Sequence, residues 1–228
     1  MLYNAGRDPS FILAMNRFSR TRIKICGLTR ASDVAAAVQA GADALGLVFY
    51  AKSPRHIELS AAEKLVRAMP PFVSVVGLFV NPTADEVRAV LTRIPLSVLQ
   101  FHGEESAEFC AQFGLPYLKA IRVRRDVDLL QCAAEFSGAQ GLLLDAFVEG
   151  THGGTGAAFD WQLIPAKLPL PIILSGGLHA GNVAEAIKQV RPYAVDVSSG
   201  VESGKGIKDA AKIAAFTNEV NRIDLQLS

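Results

Sequence analysis

Cys26 ends the short run RIKIC, just ahead of GLTRASD, where a helical pattern begins. It is one of three cysteines in the chain. A free thiol there is either a small buried apolar group or a reactive group at the mouth of a site. Other titratable groups also end short apolar runs. Asp145 closes GLLLD, His102 follows SVLQF with Gln100 two positions earlier, and Asp196 lies in AVDVS. A thiol, an imidazole and two carboxyl groups can move protons, provided the fold brings them to one place.

Two glycine-rich turns suggest a different chemistry. SGGLHAGN carries Gly176 and Gly177, and SSGVESGKGIKD carries Ser199 and Gly200. Glycines allow close backbone approach to a ligand, and a following helix start offers free N–H donors, so the pair suits a phosphate. HGGTGAAF, with Gly154 and Gly156, lacks the third glycine of a dinucleotide fingerprint and the acidic ribose-binding residue that should follow it. It reads instead as a lid over the mouth.

These groups need a frame. From Thr21 onward, eight β-rich runs alternate with amphipathic segments: RIKIC, DALGLVF, VSVVGLF, SVLQF, YLKAI, GLLLD, PIILS and AVDVS. Strict strand–helix alternation means parallel pairing with helical crossovers. Eight units predict an α/β fold of the (β/α)8 TIM-barrel type, in a single domain covering 21–228. A doubly wound open sheet is the alternative, and it normally uses fewer strands. A helix is expected after each strand, including AFDWQLIPAKL after the sixth, and SSGVES is expected to form a short extra turn.

Strand parity sorts the faces. Ile23 and Ile25 point to the helices, while Arg22, Lys24 and Cys26 point inward with Cys26 uppermost. On the sixth strand Leu142 and Leu144 face the helices, and Gly141, Leu143 and Asp145 face in. The carboxyl ends of the strands are where such barrels carry their sites, so Cys26, His102, Asp145 and Asp196 should ring one mouth.

The bulk numbers narrow the partners. The 228-residue chain has 23 basic and 22 acidic residues for a formal net charge of +1, without a basic stripe for nucleic acid. Its apolar runs are too short to span a bilayer, so no membrane partner is expected. An odd number of cysteines without paired spacing argues against disulfides and structural zinc, and fits the cytoplasm. Residues 1–20 lack the pattern of a signal peptide and read as an extension outside the core, with Met15 an alternative start.

KICGLT, SPRHI, LQFHG, LLLDA, GGTGAAFDW, LSGGL and DVSSGVE occur in that order. Together they resemble phosphoribosylanthranilate isomerase, a barrel enzyme of tryptophan biosynthesis, from Arg22 to the final helix. The resemblance implies a cofactor-free, metal-free Amadori rearrangement of N-(5′-phosphoribosyl)anthranilate to 1-(2-carboxyphenylamino)-1-deoxyribulose 5-phosphate. It implies Cys26 as general base, Asp145 as general acid and Arg55 as holder of the anthranilate carboxylate. The phosphate falls to the glycines of SGG and SSG. The extension has no counterpart in the family pattern.

These roles make chemical sense. Protonating a ribose ring oxygen asks for a carboxyl group whose pKa is raised towards neutrality. A base thiol asks for the opposite shift, from Lys24 or the following helix start. Gln100 and His102 contact the substrate or each other; Asp196 orients ribose hydroxyls or pairs with Lys24 across the barrel. Cys110 and Cys132 lie in helical segments and read as packing. The competing functions are another phosphosugar epimerase or lyase on the same barrel, and a catalytically silent phosphate-binding barrel. The catalytic unit is expected to be a monomer or homodimer.

Overall fold

In the computed structural model, residues 20–146 and 161–227 are described. The lid glycines Gly154 and Gly156 and all but the last residue of the predicted extension lie outside them. Eight strands close into a parallel barrel in sequence order: β1 (Arg22–Cys26), β2 (Ala44–Val48), β3 (Ser74–Phe79), β4 (Val98–Phe101), β5 (Tyr117–Val123), β6 (Gly141–Ala146), β7 (Ile172–Ser175) and β8 (Ala194–Val197). β8 returns to β1 with Lys24 opposite Asp196, so the barrel itself has no edge strand. The open-sheet alternative is thereby excluded.

Helices α1 (Ala31–Gln39), α2 (Leu59–Arg67), α3 (Ala84–Arg93), α4 (Ala107–Ala111), α5 (Leu129–Glu135), α6 (Val183–Val190) and α7 (Ala210–Leu227) cover the outside. Local chemistry starts several of them. The Thr83 hydroxyl accepts from Glu86 N–H and the Glu86 carboxylate accepts from Thr83 N–H, a reciprocal cap on α3. Ser106 and Asp128 cap α4 and α5 through their side-chain oxygens. The helix expected after β6 is, among the described residues, only a 3-10 turn, Trp161–Leu163. Pro165, Pro169 and Pro171 crowd the segment that follows, and each removes a backbone donor that a longer helix would need.

Ile23, Ile25, Leu142 and Leu144 pack with the helices, as parity requires, and each is almost fully buried. Burying such a side chain contributes about 1.5–3 kcal/mol. Inside the barrel, Leu143 packs with Ala120, Ile173 and Ala194. Cys26, Val48 and Leu78 form a second interior cluster, with Tyr50 and Val80 against it. Arg20 pairs with Asp43, and Thr21 donates from its N–H and hydroxyl to Asp224 on α7, anchoring the start of β1.

Candidate active site

Cys26 is the last residue of β1, 5% exposed, in the interior cluster. Its in-register neighbour on β2 is Gly46. A Cβ on Gly46 would lie 2.8 Å from the Cys26 sulfur and 3.2 Å from Lys24 Nζ. Glycine is what leaves room for thiol and ammonium together. Lys24 Nζ donates to Asp196 Oδ1 at 2.9 Å, with both side chains buried. The second of the two readings for Asp196 therefore holds, although its partner sits on the adjoining strand rather than across the barrel. Desolvation lowers the Lys24 pKa, but Asp196 and Cys26 outweigh it and the net shift is upward.

The thiol departs from expectation. Desolvation pushes the Cys26 pKa up, and the charge and hydrogen bond of Lys24 oppose this without overcoming it. Asp196 reinforces the upward shift, because a nearby carboxylate disfavours a thiolate. Burial thus favours the neutral thiol of Cys26.

On the β4–β6 side, His102 Nε2 lies 3.1 Å from Asp145 Oδ2, and His102 Nδ1 lies 3.1 Å from Gln100 Nε2. Gln100 and His102 therefore touch each other, and the imidazole links the amide to the carboxyl group. Asp145 and His102 are partly exposed, while Gln100 is fully buried. Gln100 Oε1 has no hydrogen-bond partner among the described residues. A buried polar atom in that state costs about 1–3 kcal/mol. The loop after His102 is clamped by Glu105, which accepts from the backbone N–H groups of Asn81 and Gly103 and from Lys119 Nζ at 2.8 Å.

Arg55 forms two parallel bonds to Glu202, Nε to Oε1 at 2.7 Å and Nη2 to Oε2 at 2.8 Å. The Glu202 hydrogen bond raises the arginine's pKa. Lys208 Nζ donates to Glu202 Oε1 at 2.9 Å and to Ser198, whose hydroxyl in turn donates to Cys26 O. Burial would raise the Glu202 pKa, yet the two cations hold it below the ordinary carboxylate range. Burial lowers the Lys208 pKa despite that carboxylate.

Glu202, which holds Arg55, and Lys208, which reaches Glu202 and Ser198, were not singled out by sequence reasoning. They stand on a small hairpin, β9 (Glu202–Gly204) and β10 (Ile207–Lys208), turned at Gly206 with φ +76°. An acidic and a basic residue either side of a glycine turn, directly after the SSG turn, was the available signal. Arg122 was also missed. It pairs with Asp145 in strand register and shares the inward parity of Leu118 and Ala120.

The two glycine turns meet. Gly176 and Gly177 have φ of +89° and +65°, and a Cβ at Gly177 would meet nothing within 4 Å, leaving open space above that turn. A Cβ on Gly200 would lie 1.9 Å from Leu178 O, so only glycine lets the β8 turn approach the β7 turn. Ser199 opens a 3-10 turn, Ser199–Val201, the short extra turn expected there. No group of three or more His, Cys, Asp or Glu is placed to hold a metal ion among the described residues. No helix among them is long and apolar enough to cross a membrane.

This arrangement matches a known family. Residues 23–219 match the family model for N-(5'phosphoribosyl)anthranilate (PRA) isomerase. The chain belongs to that family. The N-(5'-phosphoribosyl)anthranilate isomerase of Thiobacillus denitrificans is 62% identical over 198 residues, covering 87% of this chain and 97% of that one. The crystal structure of phosphoribosyl anthranilate isomerase from Thermotoga maritima superposes with a TM-score of 0.82 at 39% identity, covering 89% of this chain and 99% of that one. A phosphoribosyl anthranilate isomerase in complex with reduced 1-(o-carboxyphenylamino)-1-deoxyribulose 5-phosphate gives a TM-score of 0.79 at 38% identity, with 89% and 99% coverage. Membership of the isomerase family places the chain among small-molecule enzymes that act on a phosphorylated sugar.

Proposed function

We infer that the chain catalyses the isomerisation of N-(5′-phosphoribosyl)anthranilate in tryptophan biosynthesis. The observation that carries this is the family match along nearly the whole barrel. In this reading Asp145 protonates the ribose ring oxygen. The C1′–O bond breaks, and the anthranilate nitrogen lone pair forms the C1′=N bond of an iminium. Cys26, as thiolate, takes the proton from C2′, and the C2′–H electron pair forms C1′=C2′ and neutralises the nitrogen. Returning a proton to C1′ and removing one from the 2′-hydroxyl yields the ketone and restores both groups.

The charges favour this order. Burial favours the protonated thiol, with Lys24 opposing. An iminium formed above Cys26 is a second cation beside Lys24 and favours loss of the thiol proton to solvent, leaving the thiolate that attacks C2′–H. Arg55, held by Glu202, presents its remaining N–H groups to the anthranilate carboxylate. The open turn at Gly176 and Gly177, with Ser199 and Gly200 beside it, receives the phosphate.

No metal or organic cofactor is needed for these steps. The catalytic unit is a monomer or a homodimer in this reading. Unpaired cysteines fit a cytoplasmic setting. The test is turnover of N-(5′-phosphoribosyl)anthranilate by the purified chain, followed by loss of the substrate's fluorescence, with and without chelator. Chelator-insensitive turnover supports the reading; its absence with intact Cys26 and Asp145 would favour a silent phosphate-binding barrel.

A further inference from the structure

Gln100, His102 and Asp145 form a chain whose donors run in one direction. The Gln100 amide nitrogen facing His102 Nδ1 can only donate, so the ring proton sits on His102 Nε2, 3.1 Å from Asp145 Oδ2. His102 Nδ1 is then a lone pair and requires a donor. The Gln100 amide NH2, 3.1 Å away, supplies it. This orientation leaves Gln100 Oε1 buried and unpartnered, a cost that leucine or methionine in this position would avoid. The fold tolerates the orphan oxygen at an otherwise apolar interior level, between Leu78 on β3 and Leu118 on β5.

We propose that Gln100 is a positioning residue that fixes the tautomer of His102 and thereby decides which carboxyl oxygen of Asp145 carries the transferable proton. With Nε2–H donating to Oδ2, that oxygen acts as acceptor whether Asp145 is charged or neutral, and the acidic proton resides on Oδ1. The other tautomer presents a bare Nε2 lone pair. It draws the carboxyl proton onto Oδ2, where it faces the ring instead of the substrate. As Asp145 gives up its proton, the Nε2–H bond strengthens and stabilises the emerging carboxylate. Only a proton changes place, from Oδ1 to the ribose ring oxygen. The inference rests on the role given to Asp145 above, and the experiment separates the two.

The test is 15N NMR of histidine-labelled full-length protein, combined with kinetics of Gln100→Leu and Gln100→Glu. The expected wild-type spectrum has His102 protonated at Nε2 and bare at Nδ1 at neutral pH. Gln100→Leu should mix the tautomers and lower kcat between about 10- and 100-fold with KM little changed, part of the roughly 10²–10⁴-fold that a positioned acid contributes. Gln100→Glu should put a proton on Nδ1 and lower kcat at least as far. A wild-type His102 protonated at Nδ1 would overturn the proposal even if neither variant folds. So would Gln100→Leu with unchanged kcat. If Asp145→Asn keeps full activity while the spectrum is as expected, the acid assignment fails and the tautomer assignment stands.

Discussion

Lys24 and Asp196 lie in register on adjoining strands, ammonium to carboxylate at 2.9 Å, buried beneath the thiol of Cys26. The pair balances the thiol from both sides, since Lys24 favours the thiolate and Asp196 disfavours it. The proposed base is therefore held protonated by burial but remains adjustable by either neighbour.

That balance has a pH signature. Because the Cys26 pKa is raised, the thiolate-dependent rise of kcat/KM should fall above the ordinary thiol value of about 8.5. Lys24→Met removes the lowering charge and should move the rise further into the alkaline range. Asp196→Asn removes a raising charge and should move it down. A pH–rate profile unmoved in both variants would contradict the coupling.

The same pair separates stability from function. Lys24→Met leaves Asp196 buried and unpaired, and denaturant unfolding should show a loss of about 3–5 kcal/mol. The double variant Lys24→Met/Asp196→Asn should recover most of that loss yet remain slow at neutral pH.

Arg55 and Arg122 offer alternative cations at the rim. Arg55→Ala should raise KM by at least about 10-fold with less effect on kcat, as expected of uniform binding. Glu202→Gln weakens the support of Arg55 and should raise KM less. If Arg122→Ala raises KM and Arg55→Ala does not, the carboxylate clamp belongs to β5.

The glycine turns predict contrasting outcomes. Gly177→Ala has open space and should fold, but its positive φ strains any side chain at a cost of about 1 kcal/mol. It should also weaken competitive inhibition by inorganic phosphate. Gly200→Ala must displace Leu178 O and should unfold at a markedly lower temperature.

Much of this was legible in the sequence because barrel geometry converts strand parity into position. Cys26 ends β1 and Asp145 stands one residue before the end of β6, both on the inward parity, and Leu142 and Leu144 faced the helices as alternation demands. Three things were not legible. The net upward shift of Cys26 depends on three-dimensional burial outweighing Lys24, which spacing alone does not reveal. The ion pair of Arg55 with Glu202 spans 147 positions in sequence, and periodicity does not report such contacts. The helix expected after β6 is, among the described residues, only the turn Trp161–Leu163, because Pro165 breaks the amphipathic pattern.

The central claim is that Cys26 and Asp145 are the base and acid of one reaction. The most direct measurement is kcat for Cys26→Ala and Asp145→Asn, alongside their affinity for reduced 1-(o-carboxyphenylamino)-1-deoxyribulose 5-phosphate. Each variant should lose at least about 10²-fold in kcat while binding that ligand within a few-fold of wild type. Near-normal kcat in either variant would contradict the account.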